Sequence, residues 1–268
     1  LPILTRSEIQ TAGPDLRSTR PPSEHGMVYM QRTSGSTGKP IEVTTTAIRN
    51  VMSMAHTLRA QYWHRLDVTR KNVNIRTAHK PGAEPKNQSW SSLPWSGPSK
   101  LLDINLPISE LFDQFISEDP ASVLSHPYTL MLLAERSRET GIMPGNLSSA
   151  RSFGEALSPN IRKTLREVWN VPAIDSYSAT EIGIIGHQCP ENEGLHVQVE
   201  NVRVEVLDQN GNDCQPGDVG RVVVTPLQNF ATPLVRYEIG DYAEVGESCS
   251  CGRTLPVFDI ILGRQRNI

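Results

Sequence analysis

The sequence predicts a mixed α/β fold, with largely parallel sheets flanked by helices and a small β-rich, barrel-like subdomain. Between residues 121 and 186 short apolar runs alternate with helical stretches, the pattern of βαβ units and a parallel sheet. From about His196 the texture changes to short alternating segments (VRVEVL, GRVVVT, YAEVG, VFDIIL) separated by Gly, Asn and Asp, with NGND at 210–213 as a hairpin signal.

Taken in chain order, residues 1–25 are polar and proline-dotted, with Thr5–Glu8 (TRSE) as a capping box for a short helix. Gly26–Arg32 reads as a buried strand running into a glycine-rich turn, and Ala47–His64 as a helix. Lys80–Lys100, rich in Pro, Gly, Ser and Trp, reads as a long loop. Ser122–Ser125, Ala150–Phe153 and Ala173–Asp175 read as strands, with Tyr128–Thr140 and Pro159–Trp169 as the helices between them. The expected organisation is an α/β body over 1–195, a β-rich subdomain over 196–262, and the start of a hinge at 263–268.

The 268 residues can bury one large core or two smaller ones, and a formal net charge of −3 gives no basic excess for nucleic acid. No apolar run approaches the roughly 20 residues that span a bilayer. The opening LPILTRSEIQ lacks both the pattern of a signal peptide and an initiator Met, so the chain reads as part of a longer protein. With four cysteines, three of them in turn-rich sequence near a histidine, a metal in a reducing compartment is favoured over a disulfide framework; the expected location is cytoplasmic.

Three segments carry chemistry. In Thr33–Pro40 (TSGSTGKP), Gly35 and Gly38 let the backbone approach a ligand, while Thr33, Ser34, Ser36, Thr37 and Lys39 offer donors to phosphate oxygens. Only two residues separate the glycines and Pro40 follows the lysine, so it is not a Walker A loop; a flexible turn is the alternative. In Asp175–Gly183 (DSYSATEIG), Glu181 can ligate Mg²⁺, Thr180 can bond a phosphate and Tyr177 can stack on a base, the alternative being a capped turn with a solvated glutamate. In Arg236–Asp241 (RYEIGD), an aspartate after Gly240 can accept from both hydroxyls of a ribose, or be a hairpin residue.

In this order the three segments resemble the adenylate-forming superfamily, with its phosphate loop ending in GKP, its aromatic-x-x-Thr-Glu motif and its Tyr-x-x-Gly-Asp motif. SFGEALSP at 152–159 and Gly263–Arg264 match two further family segments. Within the superfamily, LPILTRSEI, SHPYTLMLLA, CPENEGLH, TPLVRYEIGD and CSCGRTLP are similar to the phenylacetate–CoA ligase group and its capsule-biosynthesis-type relatives. The resemblance implies that Thr33, Ser34, Ser36, Thr37 and Lys39, on the Gly35 and Gly38 turn, hold the β- and γ-phosphates. It implies that Gly154, Glu155 and Tyr177, with Ser176 beside them, frame the adenine. Thr180 would meet the α-phosphate, Glu181 the Mg²⁺, and Asp241 and Arg264 the ribose; Lys39, Thr180 and Glu181 would be the catalytic set.

The implied activity is ATP-dependent formation of an acyl-adenylate with release of pyrophosphate, followed by thioester formation on CoA or a carrier protein. Amide formation, or a lidless module that binds nucleotide without catalysis, are the alternatives. The implied partners are a small carboxylic acid and CoA or a carrier protein, with no nucleic acid and no membrane span, and a homodimer left open. The superfamily's mobile C-terminal domain would begin just after Arg264, so the chain reads as a truncated core. Three positions depart from the pattern: Glu238 stands where an arginine is expected, Arg266 where an aspartate is, and residues 73–107 do not follow the acyl pocket of phenylacetate ligases.

Cys189, His196, Cys249 and Cys251 form C-x₆-H…C-x-C, a donor set suited to tetrahedral Zn²⁺, with His187 a rival fourth ligand and free cysteines the alternative. In the phenylacetate-ligase-like group such a cluster is a structural zinc site, which the resemblance implies here; Cys214 stands apart. His25, His56, His64, His79 and His126 are scattered and read as surface or packing residues, and Trp90 and Trp95 as lining or cover in the long loop.

Overall fold

The computed structural model describes residues 1–33, 40–77, 88–89 and 96–264. The chain order begins α1 (Arg6–Ala12), β1 (Val28–Arg32), β2 (Glu42–Thr46), α2 (Ala47–Trp63), β3 (Asn72–Arg76), β4 (Gln88–Ser89), β5 (Pro98–Asp103), α3 (Ile108–Glu118). It continues with β6 (Ser122–Ser125), α4 (Pro127–Thr140), β7 (Ser149–Ser152), α5 (Pro159–Trp169), β8 (Ala173–Ile174) and β9 (Ser176–Ala179). The last strands are β10 (Gly183–Gln188), β11 (Leu195–Val197), β12 (Val202–Leu207), β13 (Val219–Pro226), β14 (Tyr237–Val245) and β15 (Val257–Arg264).

Local chemistry explains the helix ends. Thr5 and Glu8 form the expected capping box, with Glu8 N donating to Thr5 Oγ1 at 3.3 Å and Thr5 N to Glu8 Oε2 at 2.7 Å. Helix α4 opens on Pro127 and closes on Gly141 in the left-handed region, and α5 is N-capped by Ser158.

The chain forms two compact units, one of Leu1–Ala60 with Tyr177–Ile268 and one of Gln61–Ser176. The second contains a six-stranded sheet in the order β4-β5-β3-β6-β7-β8, parallel from β5 through β8. Its core joins Val73, Ile75 and Val123 of the sheet to Phe112 and Phe115 of α3, Leu130 and Leu133 of α4 and Leu165 of α5. The buried Trp169 indole donates to Ser137 Oγ at 2.9 Å, which removes the cost of its polar N–H.

The first unit holds a seven-stranded sheet, β12-β13-β14-β15-β11-β10-β9, with antiparallel pairing from β12 through β10, and the separate β1–β2 hairpin. Its core is aliphatic, around Ile185, Val202, Val222, Val224, Leu234 and the fully buried Tyr237. Among the described residues no helix is long and apolar enough to cross a membrane.

Three expectations need correction. The β-rich part starts at β9 and β10 rather than at 196, because β10 pairs with β11 and joins the antiparallel sheet. The body expected over 1–195 is not one unit, since residues 1–60 belong with the β-rich part. Strand β1 is not buried: Val28 and Met30 are exposed, because β2 is the only strand paired with it among the described residues.

Phe115 is fully buried at the centre of the second unit. Phe115→Ala is expected to lower stability by about 3–5 kcal/mol, read from chemical denaturation of the purified protein.

Candidate nucleotide-activation site

The β1–β2 hairpin presents the glycine-rich segment. Antiparallel pairing runs from Val28↔Thr46 to Arg32↔Glu42, and beyond it Thr33 N donates to Ile41 O at 3.0 Å while Ile41 N donates to Thr33 Oγ1 at 2.9 Å. Thr33 therefore pairs with Ile41 through both its backbone and its hydroxyl. Ser34, Gly35, Ser36, Thr37, Gly38 and Lys39 lie outside the described residues, as do His79, Trp90, Trp95 and Arg266.

Thr180 and Glu181 form the turn between β9 and β10. Glu181 is 5% exposed, and the hydroxyl of the fully buried Tyr237 donates to its Oε1 at 3.1 Å. Arg6, the first residue of α1, places Nη1 3.9 Å from the same oxygen and donates through Nη2 to Thr33 Oγ1 at 3.3 Å. On the other side Arg49 of α2 donates to the Thr180 carbonyl at 2.6 Å and to Gln31 Oε1. Burial lowers the Arg49 pKa from the usual arginine range, and the charge of Glu181 opposes the shift. The turn thus sits between two guanidinium groups, one on its carboxylate and one on its backbone.

Asp241 owes its position to a bulge. Arg221 pairs with Tyr242 and Val223 with Glu238, so Ile239, Gly240 and Asp241 face a single residue of β13, and Gly240 takes a φ of 91° there. Tyr177 Oη donates to Asp241 Oδ2 at 2.8 Å, and Arg264, paired with Asp241 across β14–β15, lies 3.9 Å from Oδ1. Burial raises the Asp241 pKa, opposed by the Tyr177 hydrogen bond and the Arg264 charge. Burial also holds the Tyr177 hydroxyl well above the ordinary tyrosine value, so it is a donor at neutral pH. The Tyr177 ring meets Phe258 edge-on at 6.0 Å. Glu238, where the family pattern has arginine, faces Arg221 at 3.5 Å.

In the second unit Ser125 pairs with Ser152 at the C-terminal ends of parallel β6 and β7, the end of such sheets where ligands bind. Just beyond, the ring of His126 stacks on Phe153 at 4.7 Å, with Nδ1 3.8 Å from Glu155 Oε1. Gly154 has φ 81°, and a Cβ there would stand 3.0 Å from the His126 ring, so only glycine fits between them. Asp175 accepts from Ser152 Oγ at 2.5 Å and from Ser176 N at 2.9 Å; burial raises its pKa against those bonds.

Cys189, His196, Cys249 and Cys251 converge, their ligand atoms all within 4.8 Å of one another. Cys189 and Cys249 Sγ are 3.7 Å apart, and Cys251 Sγ lies 3.5 Å from His196 Nε2. Zinc–sulfur bonds of about 2.3 Å at tetrahedral angles separate sulfurs by roughly 3.8 Å, close to the 3.7 Å between Cys189 and Cys249. His196 joins the group and the rival His187 does not; Cys214 lies elsewhere, lining a cavity of about 380 Å³ against β12.

Sequence reading missed Arg6, Arg49 and Tyr237. Tyr237 sits inside the RYEIGD segment and Arg6 inside LPILTRSEI, yet neither has a spacing that points to Glu181, which is more than 50 residues from Tyr237 and farther from Arg6.

No protein-family model matches the chain. It is 33% identical over 152 residues to a phenylacetate–coenzyme A ligase of Thermus thermophilus, an alignment covering 54% of this chain and 34% of that protein. It is 24% identical over 206 residues to a mitochondrial acyl-coenzyme A synthetase of Rattus norvegicus, covering 73% of this chain and 34% of that one. The chain thus spans about a third of the length of these relatives. Among solved structures, a 2-hydroxyisobutyryl-CoA ligase in complex with 2-HIB-AMP and CoA superposes with a TM-score of 0.77 at 22% identity, over 98% of this chain and 64% of that one. An anthranilate CoA ligase in complex with anthranoyl-AMP gives 0.62 at 15%, over 88% and 47%. The chain is thus similar in sequence to phenylacetate–CoA ligases and acyl-CoA synthetases, and its mixed α/β fold is that of the CoA ligases among these solved structures.

Proposed function

We propose that the protein activates a carboxylic acid with ATP, forming an acyl-adenylate and releasing pyrophosphate, and that the acyl group then passes to the thiol of CoA or a carrier protein. The observation that carries this reading is the single guanidinium of Arg6, which spans from the neck of the phosphate loop at Thr33 to the buried carboxylate of Glu181. Thr33, at the start of the segment read as a phosphate loop, and the acid read as a Mg²⁺ ligand therefore share one guanidinium, which supports the reading. The acyl-AMP complexes of the structural neighbours support the same reaction.

In this reaction a carboxylate oxygen of the acid attacks the α-phosphorus. The new O–P bond forms as the bond to the bridging oxygen of the β-phosphate breaks, and that electron pair leaves with pyrophosphate. Two anions must approach, so fixed donors and cations supply most of the acceleration. Thr33 Oγ1 already accepts from Ile41 N and Arg6, which leaves its own proton for a phosphate oxygen. Lys39 and the hydroxyls of Ser34, Ser36 and Thr37 continue that set along the loop, and the Thr180 hydroxyl serves the α-phosphate. Asp241 takes the ribose hydroxyls, fixed by Tyr177 and Arg264.

Mg²⁺ fits Glu181: a hard cation takes oxygen ligands, and Tyr237 orients the carboxylate through Oε1, leaving Oε2 for the ion. When bound, the ion would neutralise charge on the phosphates. Zn²⁺ fits the Cys189, His196, Cys249 and Cys251 cluster on the distances alone, and four protein donors leave no open position, so its role is to tie β10, β11 and the 249–251 turn together. Free thiols fit a reducing, cytoplasmic setting.

Glu181→Gln is expected to reduce acid-dependent ATP–pyrophosphate exchange on the order of 100-fold, because an amide is a poor Mg²⁺ ligand. Near-normal exchange in that variant would remove Glu181 from the site. Asp241→Ala is expected chiefly to raise the ATP concentration needed, which a KM measurement against kcat reads directly. Exchange that proceeds with no acid, or with none of a broad acid panel, would favour a nucleotide-binding module instead.

The zinc assignment predicts about one zinc per chain by elemental analysis of gently purified protein, lost in Cys251→Ser together with thermal stability. Metal-free protein of unchanged melting temperature would contradict it.

A further inference from the structure

We infer that Arg6 is a positioning residue of the nucleotide site, acting on MgATP through Glu181. The inference rests on the ATP-site reading above and adds to it a residue that none of the three chemistry-bearing segments contains.

Local structure brings Arg6 there. Leu4 N donates to Arg236 O and Glu238 N to Leu4 O, both at 2.9 Å, so the opening residues run as a short parallel partner of β14 beside Tyr237. Thr5 then caps α1, which fixes Arg6 as the first helical residue, directly over the Tyr237 hydroxyl and Glu181. Its two terminal nitrogens divide between Thr33 Oγ1 at 3.3 Å and Glu181 Oε1 at 3.9 Å, and it also acts as a donor toward the Tyr237 hydroxyl.

The electrostatics give this placement a task. A carboxylate that is 5% exposed has lost most of its contact with water, so a facing cation and oriented donors replace that contact. Arg49 is already committed to the Thr180 carbonyl and Gln31, so Arg6 is the guanidinium that addresses the carboxylate itself. At 3.9 Å the pair is longer than the 2.7–2.9 Å of a locked charge-assisted bond. Such a pair places a positive charge beside Oε1, which Tyr237 already orients, and leaves the other oxygen open. The same side chain donates to the Thr33 hydroxyl, so the carboxylate of Glu181 and Thr33 share one frame.

The test is equilibrium binding of ATP in excess MgCl₂ to the wild-type chain, Arg6→Ala, Arg6→Lys, Glu181→Gln and the Arg6→Ala/Glu181→Gln pair. Arg6→Ala is expected to weaken binding about 10-fold, as loss of one charge-assisted contact does, and Arg6→Lys by less. Because Arg6 works through Glu181, the double variant should bind no more than about 3-fold more weakly than Glu181→Gln alone. Arg17→Ala, which cuts the neighbouring Arg17–Glu42 ion pair of 3.5 Å, should leave binding unchanged; if it weakens binding equally, Arg6 only holds the segment in place. Fully additive losses, or an Arg6→Ala chain that binds like wild type while Glu181→Gln does not, overturn the inference alone. If Glu181→Gln also binds like wild type, the ATP-site reading falls and this inference with it. Should Arg6→Ala fail to fold, the same cycle with Arg6→Lys decides the question on the same terms.

Discussion

The buried carboxylate of Glu181 is the constraint around which the first unit is arranged. An ionised acid with 5% exposure costs free energy unless donors and cations surround it. Here they come from three distant places in the chain: Tyr237 from β14, Arg6 from the capped start of α1, and Arg49, acting on the backbone of the same turn, from α2. Docking of these elements brings the three groups to one turn. The pairing of Leu4 with β14 and the Arg6 bridge from Thr33 to Glu181 add polar contacts there to the apolar packing.

A second constraint is backbone shape. The bulge at Ile239–Asp241 breaks the ladder between β13 and β14, and Gly240 supplies the positive φ that lets Asp241 turn toward Tyr177 and Arg264. In the other unit Gly154 does comparable work after β7, where a side chain would strike the His126 ring. Both glycines take a positive φ, one at a bulge that turns Asp241 and one against a neighbouring ring.

Much of this was legible in the sequence, though unevenly. The helices at 47–63, 127–140 and 159–169 and the strands β6, β7 and β8 were legible from the alternation of apolar runs with helical stretches. The Thr180–Glu181 and Gly240–Asp241 pairs stood out because they combine a special backbone residue or turn with an acid. The division into units did not stand out, since the first unit is built from two separated stretches of chain and no linker marks the crossing. Strand β1 looked buried because GMVYMQR is apolar, yet periodicity gives no account of which face finds a partner. Arg6 and Arg49 were invisible for a plainer reason: an arginine in a helix is usually solvated, and only the folded chain shows that these two converge on one turn. The cysteine cluster was readable as a set, while the choice of His196 over His187 needed coordinates, because the two are cross-strand neighbours in β10 and β11.

In the proposed reaction the acid attacks the α-phosphorus, and isotope transfer reads that directly. With a carboxylic acid labelled with ¹⁸O in both carboxylate oxygens, ATP and a thiol acceptor, attack at the α-phosphorus leaves one labelled oxygen in AMP. Mass spectrometry of the products should find singly labelled AMP and unlabelled pyrophosphate. Label in inorganic phosphate, with ADP as the nucleotide product, would place the attack at the γ-phosphorus and contradict the account.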